Sequence, residues 1–194
     1  MPRAALTAAL MLVGASLQVA AEDAHRQLGA HEHGHATLNV AIEGNRLTME
    51  LLAPGMDIVG FEHAAANDAD RAALSKATAL LAEPSGLFKL PASAACKASP
   101  AKVAVEADHD HDDDHAHGGK DAHPSAAAHD GHAQFHAQYA FNCQKAVNLS
   151  RIEFPYFQRF PASRALDVNV IGPKGQTRFE ISRDKPIIDL GGIM

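Results

Sequence analysis

Alternating apolar and polar side chains give the clearest signal along the chain. Leu38, Val40 and Ile42 alternate with Thr37, Asn39 and Ala41. After the turn residues Glu43-Gly44-Asn45-Arg46 the same period returns in Leu47, Met49 and Leu51. A period of two puts the two sets of side chains on opposite faces, so these segments predict paired strands with one buried face. The period changes at Asn67. Asn67-Asp68-Ala69-Asp70 offers an N-cap and an acidic first turn, and Ala73, Leu74, Ala77, Leu80 and Leu81 form an apolar stripe at helical spacing until Pro84. That segment predicts the one main helix.

Extended patterns resume beyond it. Leu87 to Leu90 reads as a short strand or edge, and Lys102 to Glu106 is extended. Phe135, Ala137, Tyr139 and Phe141 alternate with His136 and Gln138, so the segments on either side of residues 107–134 predict the two arms of a long hairpin with His136 on the face away from the aromatics. Ile152 to Phe154, Leu166 to Ile171 and Thr177 to Ile181 give further strands, the last two joined by the turn Gly172-Pro173-Lys174-Gly175. Phe154, Phe157 and Phe160, punctuated by Pro155 and Pro161, read as core aromatics rather than a ligand box. The expected fold class is mostly β (α+β): an antiparallel sheet or sandwich with one main helix and a long disordered His/Asp-rich loop.

The N-terminal pattern is of another kind. Met1 to Ala21 carries one early cation, Arg3, then an apolar run from Ala4 to Leu17, and ends in Val19-Ala20-Ala21 before Glu22. Small residues at the last and third-last positions predict an export signal over residues 1–21, cleaved before Glu22. Read instead as a membrane anchor, the run is interrupted by Thr7, Gly14, Ser16 and Gln18, short of the roughly 20 apolar residues a span requires. The expected product is residues 22–194 as one exported domain, without a stable membrane anchor.

Charge and histidine change this picture most. Against 17 Lys and Arg stand 23 Asp and Glu, a formal charge of −6 that gives no basic footprint for nucleic acid. There are 13 His, and eight of them fall between Asp108 and His136 in DHDHDDDHAHGGKDAHPSAAAHDGHAQFH: His109, His111, His115, His117, His123, His129, His132 and His136. Seven Asp, among them Asp110 and Asp112, are interleaved with them, and from Asp108 to Gln134 no apolar side chain larger than Ala occurs. Such a segment cannot build a core, and its place between two strands predicts a disordered loop over residues 107–134. Glu106 and the seven Asp, against Lys120, carry a charge of −7; the chain from Glu22, having lost Arg3, also carries −7. The rest of the domain is therefore neutral.

Imidazole nitrogens suit Zn²⁺, Cu²⁺ or Ni²⁺, and neighbouring carboxylates concentrate cations and orient ligating rings. The loop is expected to offer several interchangeable sites, rather than the held geometry that catalysis needs. A plain solvated linker would have no use for the histidines. A second cluster, His31-Glu32-His33-Gly34-His35, runs straight into the first strand. If the strand extends back through it, His31, His33 and His35 share the polar face, where two neighbours can hold one ion and a third strains to reach it. His63, in Val59-Gly60-Phe61-Glu62-His63 at the end of the segment expected to be extended after the second strand, is the candidate further ligand. Two readings stand side by side: an ordered site built from these residues, or a frayed continuation of the low-affinity loop with His63 packing or capping.

Cys96 and Cys143 are the two cysteines of the chain. In an oxidising compartment an even count reads most simply as one disulfide, and neither residue has His or Cys at chelating spacing, as a metal-thiolate role would require.

With these features in place, the chain resembles a family of zinc-regulated periplasmic zinc-binding proteins formerly known as a domain of unknown function. The resemblance is carried by HEHGHATLNVAIEGNRLTMELLAPGMDIVGFEHA, by the Cys pair bracketing a His/Asp-rich loop, and by FPYFQRFPAS followed by a strand and GPKGQ. It implies zinc binding through His31, His33, His35, His63 and the loop histidines, in support of bacterial zinc acquisition, in some members beside an ABC-type uptake system. The loop departs from the family's dense HDHDHEH tract in being diluted by Ala and Gly. The expectation is thus a non-enzymatic periplasmic protein that captures or buffers zinc for uptake. The alternatives are copper or nickel handling, or a metal- or pH-sensing interaction module.

Overall fold

The computed structural model describes residues 34–107 and 133–194. The residues expected to form the signal (1–21), His31 and His33, and the loop positions His109, Asp110, His111, Asp112, His115, His117, His123, His129 and His132 lie outside the described residues.

Seven strands form one sheet. β1 (His35–Glu43) and β2 (Arg46–Pro54) pair antiparallel from Thr37 opposite Leu52 to Glu43 opposite Arg46. Their connection is the two-residue turn Gly44-Asn45, where Gly44 takes φ +56°, a conformation disfavoured by any side chain with a Cβ. β2 is followed by a single helical turn, α1 (Gly55–Ile58), and after a loop by α2 (Asp68–Leu81). The cap of α2 is as predicted: the Asn67 side chain accepts a hydrogen bond from the Asp70 amide at 2.9 Å.

β3 (Cys96–Ala98) and β4 (Lys102–Ala107) both lie along the outer edge of the long β5 (Ala133–Cys143), whose other edge pairs with β2. Cys96 stands directly opposite Cys143, and the two form the disulfide. No cysteine is free, so the metal-thiolate reading falls. β6 (Arg151–Glu153) and β9 (Ile187–Asp189) make a separate two-stranded sheet, and the turn α3 (Tyr156–Arg159) leads to β7 (Ala165–Gly172) and β8 (Gly175–Ser182).

The order across the large sheet is β3-β5-β2-β1-β7-β8, with β4 also on β5. The fold is mostly β, as expected, with one long helix among the described residues. Three local expectations are modified. β7 joins β1 in parallel, Leu38 opposite Val168, so the sheet is mixed rather than wholly antiparallel. Residues 55–58 are helical where the segment after the second strand was expected to be extended. Leu87 to Leu90 forms no strand, only a bridge from Lys89 to Glu153; Leu87 and Phe88 are instead drawn into the core.

One face of the sheet is the core face. Leu38, Val40, Leu47, Met49, Leu51, Phe135, Ala137, Tyr139, Leu166 and Val168 are buried there, joined by Ala77 and Leu81 of α2. Phe154, Phe157 and Phe160 are buried in the same core, as read from the sequence. Among the described residues no helix is long and apolar enough to cross a membrane.

Candidate metal site at one end of the sheet

Strand directions decide where the histidine-bearing segments meet the fold. β1 and β5 are both antiparallel to β2 and so run the same way; β4 is antiparallel to β5 and ends where β5 begins. Gly34, Ala107 and Ala133 therefore lie at one end of the sheet, with Pro54 and Ala165. The chain reaches Gly34 directly from His31 to His33, and Ala107 and Ala133 flank residues 108–132. Both His-rich segments thus attach to the same end.

That end is fixed by backbone contacts. The Gly34 amide donates to Asp57 Oδ1 at 2.7 Å, and the Gly34 carbonyl accepts from the amides of Arg164 and Ala165 at 2.8 and 2.9 Å. The Ala133 amide donates to the Glu62 carbonyl at 2.8 Å, which ties the segment bearing His63 to the first residue of β5. Gly55 permits this closeness, since a Cβ there would stand 2.5 Å from the Phe61 carbonyl oxygen and 2.8 Å from that of Ala133. His63 itself is exposed. Its ring stacks on Phe61 at 4.7 Å, and Nδ1 donates to the Ala64 carbonyl at 2.9 Å. That bond leaves Nε2 as the nitrogen with a lone pair.

His35 is the first residue of β1, and alternation with the buried Ala36 and Leu38 puts it on the face opposite the core. It shares that face with Thr37 and Asn39, in agreement with the polar-face reading. His33, the other nearby member of the predicted cluster, lies outside the described residues.

His136 sits on the same face, away from Phe135 and Ala137, as predicted. Its partners are diagonal neighbours on the two flanking strands. Glu50 of β2 stands opposite Gln138 and Glu106 of β4 opposite Gln134, so each carboxylate is one row from the imidazole, on either side. Nε2 lies 2.8 Å from Glu50 Oε1 and Nδ1 lies 3.2 Å from Glu106 Oε1. Asn39 Nδ2 donates to Glu50 Oε2 at 3.5 Å, a long bond, and Asn169 Nδ2 donates to Asn39 Oδ1 at 3.0 Å. A polar chain therefore crosses five strands of the open face. A trough of about 470 Å³ opens beside it, lined by Asn39, Thr48, Glu50, Lys102 and Gln138 among others, with no histidine among the described lining residues. The imidazole chemistry lies between that trough and the sheet end.

Partial burial disfavours the His136 cation, but the hydrogen bonds to Glu50 and Glu106 and their charges outweigh it, and the pKa is raised above the ordinary imidazole value. The Glu50 pKa is lowered, chiefly by the hydrogen bond from His136, against the opposing effect of burial. A raised histidine pKa adds stability that is fully present below the unfolded value, about 6.5, and is lost as pH rises through the folded value. The lowered Glu50 pKa adds stability present above the unfolded carboxyl value and lost on acidification. Wild type should therefore gain on His136→Gln as pH is lowered from 8 to 6 in urea titrations. A gap between the two that stays constant over this range would show that the ion pair does not form.

Among the described residues no three His, Cys, Asp or Glu side chains converge on a common ion position. Glu50, Glu106 and Asn39 were not singled out from the sequence as site residues. Parity along each strand could have placed Glu50 on the polar face, but only the register of β2 and β4 on β5 shows that they meet His136.

A family model described as ZrgA family zinc uptake protein matches residues 30–190. The chain belongs to that family, and its role is zinc-related. No curated protein matches the sequence closely.

Proposed function

We propose that the protein, freed of residues 1–21, captures zinc in the bacterial periplasm and holds it for uptake as a non-enzymatic carrier or buffer. Zinc is its cargo. Membership of a zinc uptake family supports the metal, and the attachment of both His-rich segments to one sheet end is the observation that carries the rest. Neutral scaffold and acidic, imidazole-rich collector are separate parts of one chain, so ions gathered by residues 108–132 come to the end where His35, His63 and His136 stand, residues 107, 133 and 134 of the expected loop being strand. An uptake system of the ABC type would receive the ion from there.

Competition of the chain from Glu22 with a chromogenic zinc chelator tests the reading. More than one zinc per chain is expected at pH 7.5, with binding weakening as pH falls through about 6.5, because protons compete for imidazole. Failure to take zinc from the chelator would refute it, and copper or nickel retained against excess zinc would transfer the role to those metals.

A further inference from the structure

We infer that the outer edge of β8 pairs antiparallel with the same edge of a second copy of this chain, about a two-fold axis at Phe179. The inference is independent of the zinc-capture reading.

β8 ends the large sheet, with β7 as its one partner strand among the described residues. It is eight residues long and carries neither Pro nor Lys, the residues that commonly keep an exposed edge from pairing. Outside the β7 ladder, no backbone hydrogen bond among the described residues reaches residues 175–181. The Ser182 carbonyl accepts from the Lys185 amide at 3.2 Å, on the side away from β7. Backbone groups alternate in direction along an antiparallel strand, so those of Gln176, Arg178 and Glu180 also face outward. A row of N–H and C=O groups left in this way is a template for another strand.

The side chains supply the complement. Around Phe179 the order is Thr177-Arg178-Phe179-Glu180-Ile181. A two-fold axis at Phe179 sets Arg178 opposite Glu180 of the second copy, and Glu180 opposite the second copy's Arg178. Registers centred on Arg178 or on Glu180 would set like charges face to face, which destabilises a strand pair. Arg178 already reaches Asp167 Oδ1 at 2.9 Å, but its side chain is 68% exposed and its five N–H donors can serve two carboxylates. On the other face, Phe179 packs against the core yet is only half-buried. Across the axis it meets its own counterpart in the closer, non-hydrogen-bonded kind of pair, which covers the open side of the ring.

Such a contact is isologous, with the same residues serving both copies. The axis is perpendicular to the sheet, so the ends bearing Gly34 and Ala133 fall at opposite ends of the joined sheet. Both stay uncovered.

Sedimentation equilibrium of the chain from Glu22 tests the pairing, with a chelator present so that zinc cannot bridge copies. The wild type should show a concentration-dependent equilibrium of monomer and dimer. Arg178→Glu or Glu180→Arg alone should weaken the dimer about 10-fold, since each exchange sets like charges opposite one another on both sides of the axis. Arg178→Glu combined with Glu180→Arg should dimerise as the wild type does, because opposite charges face each other again. The double variant also lacks the Arg178–Asp167 ion pair, so its recovery separates pairing from damage within the chain. A monomer at every concentration, a dimer indifferent to the single exchanges, or one that the double variant fails to restore would overturn the inference. Zinc capture would stand in each case.

Discussion

Replacing residues 108–132 by Asn-Gly should remove most of the bound zinc and leave the fold standing. Ala107 and Ala133 are opposite each other in register, so a two-residue turn can close β4 onto β5 where the long segment now departs. The exchange takes away seven of the 13 His, together with seven Asp and Lys120. Zinc per chain, measured by calorimetry, should fall to about one, the capacity of donors left at the sheet end. Shortening 25 residues to two should also stabilise the fold by about 2 kcal/mol, because a shorter loop costs less entropy to close. Unchanged zinc stoichiometry would show that the collector is elsewhere. A variant that unfolded would show that the segment supports the sheet.

The second large effect concerns the disulfide. Cys96 and Cys143 enclose 46 residues between them, and loop-closure entropy over that length corresponds to about 4 kcal/mol. β3 has only three residues on the outer edge of β5, so few other contacts hold that strand. Cys96→Ala with Cys143→Ala should lower unfolding stability in urea by roughly this amount. Zinc stoichiometry of the folded fraction should be unchanged, since neither sulfur is a ligand. A loss under 1 kcal/mol would mean that β4 and β5 already restrain the segment in the unfolded ensemble.

Local patterns were legible in the sequence wherever one face of an element is buried. The alternation in Leu38–Ile42, Leu47–Leu51 and Phe135–Phe141 marks the core face, and its parity puts His136 and His35 on the other. Asn67 and Pro84 bound the helix because capping and proline chemistry act within a turn. The parallel pairing of β1 with β7 was not legible, since it joins residues about 130 apart and no periodicity encodes a partner. The turn at residues 55–58 escaped for a different reason: it is set by tertiary contact, with Gly55 closed against the backbones of Phe61 and Ala133. The same limit hid Glu50 and Glu106. Each looked like an ordinary exposed carboxylate of its own strand, and their meeting at His136 depends on two inter-strand registers.

The neutral core carries little chemistry of its own. Its contribution is to bring three chain segments to one end and to hold His136 between two carboxylates. The central claim is that this end gathers zinc outside the cytoplasm. The most direct measurement is recovery of the native protein from zinc-limited cells by osmotic release, with its N-terminus sequenced and its metal content determined. The account predicts release in the periplasmic fraction, a first residue of Glu22 and zinc as the dominant metal. A chain retained in the cytoplasm, or one released free of zinc, would contradict it.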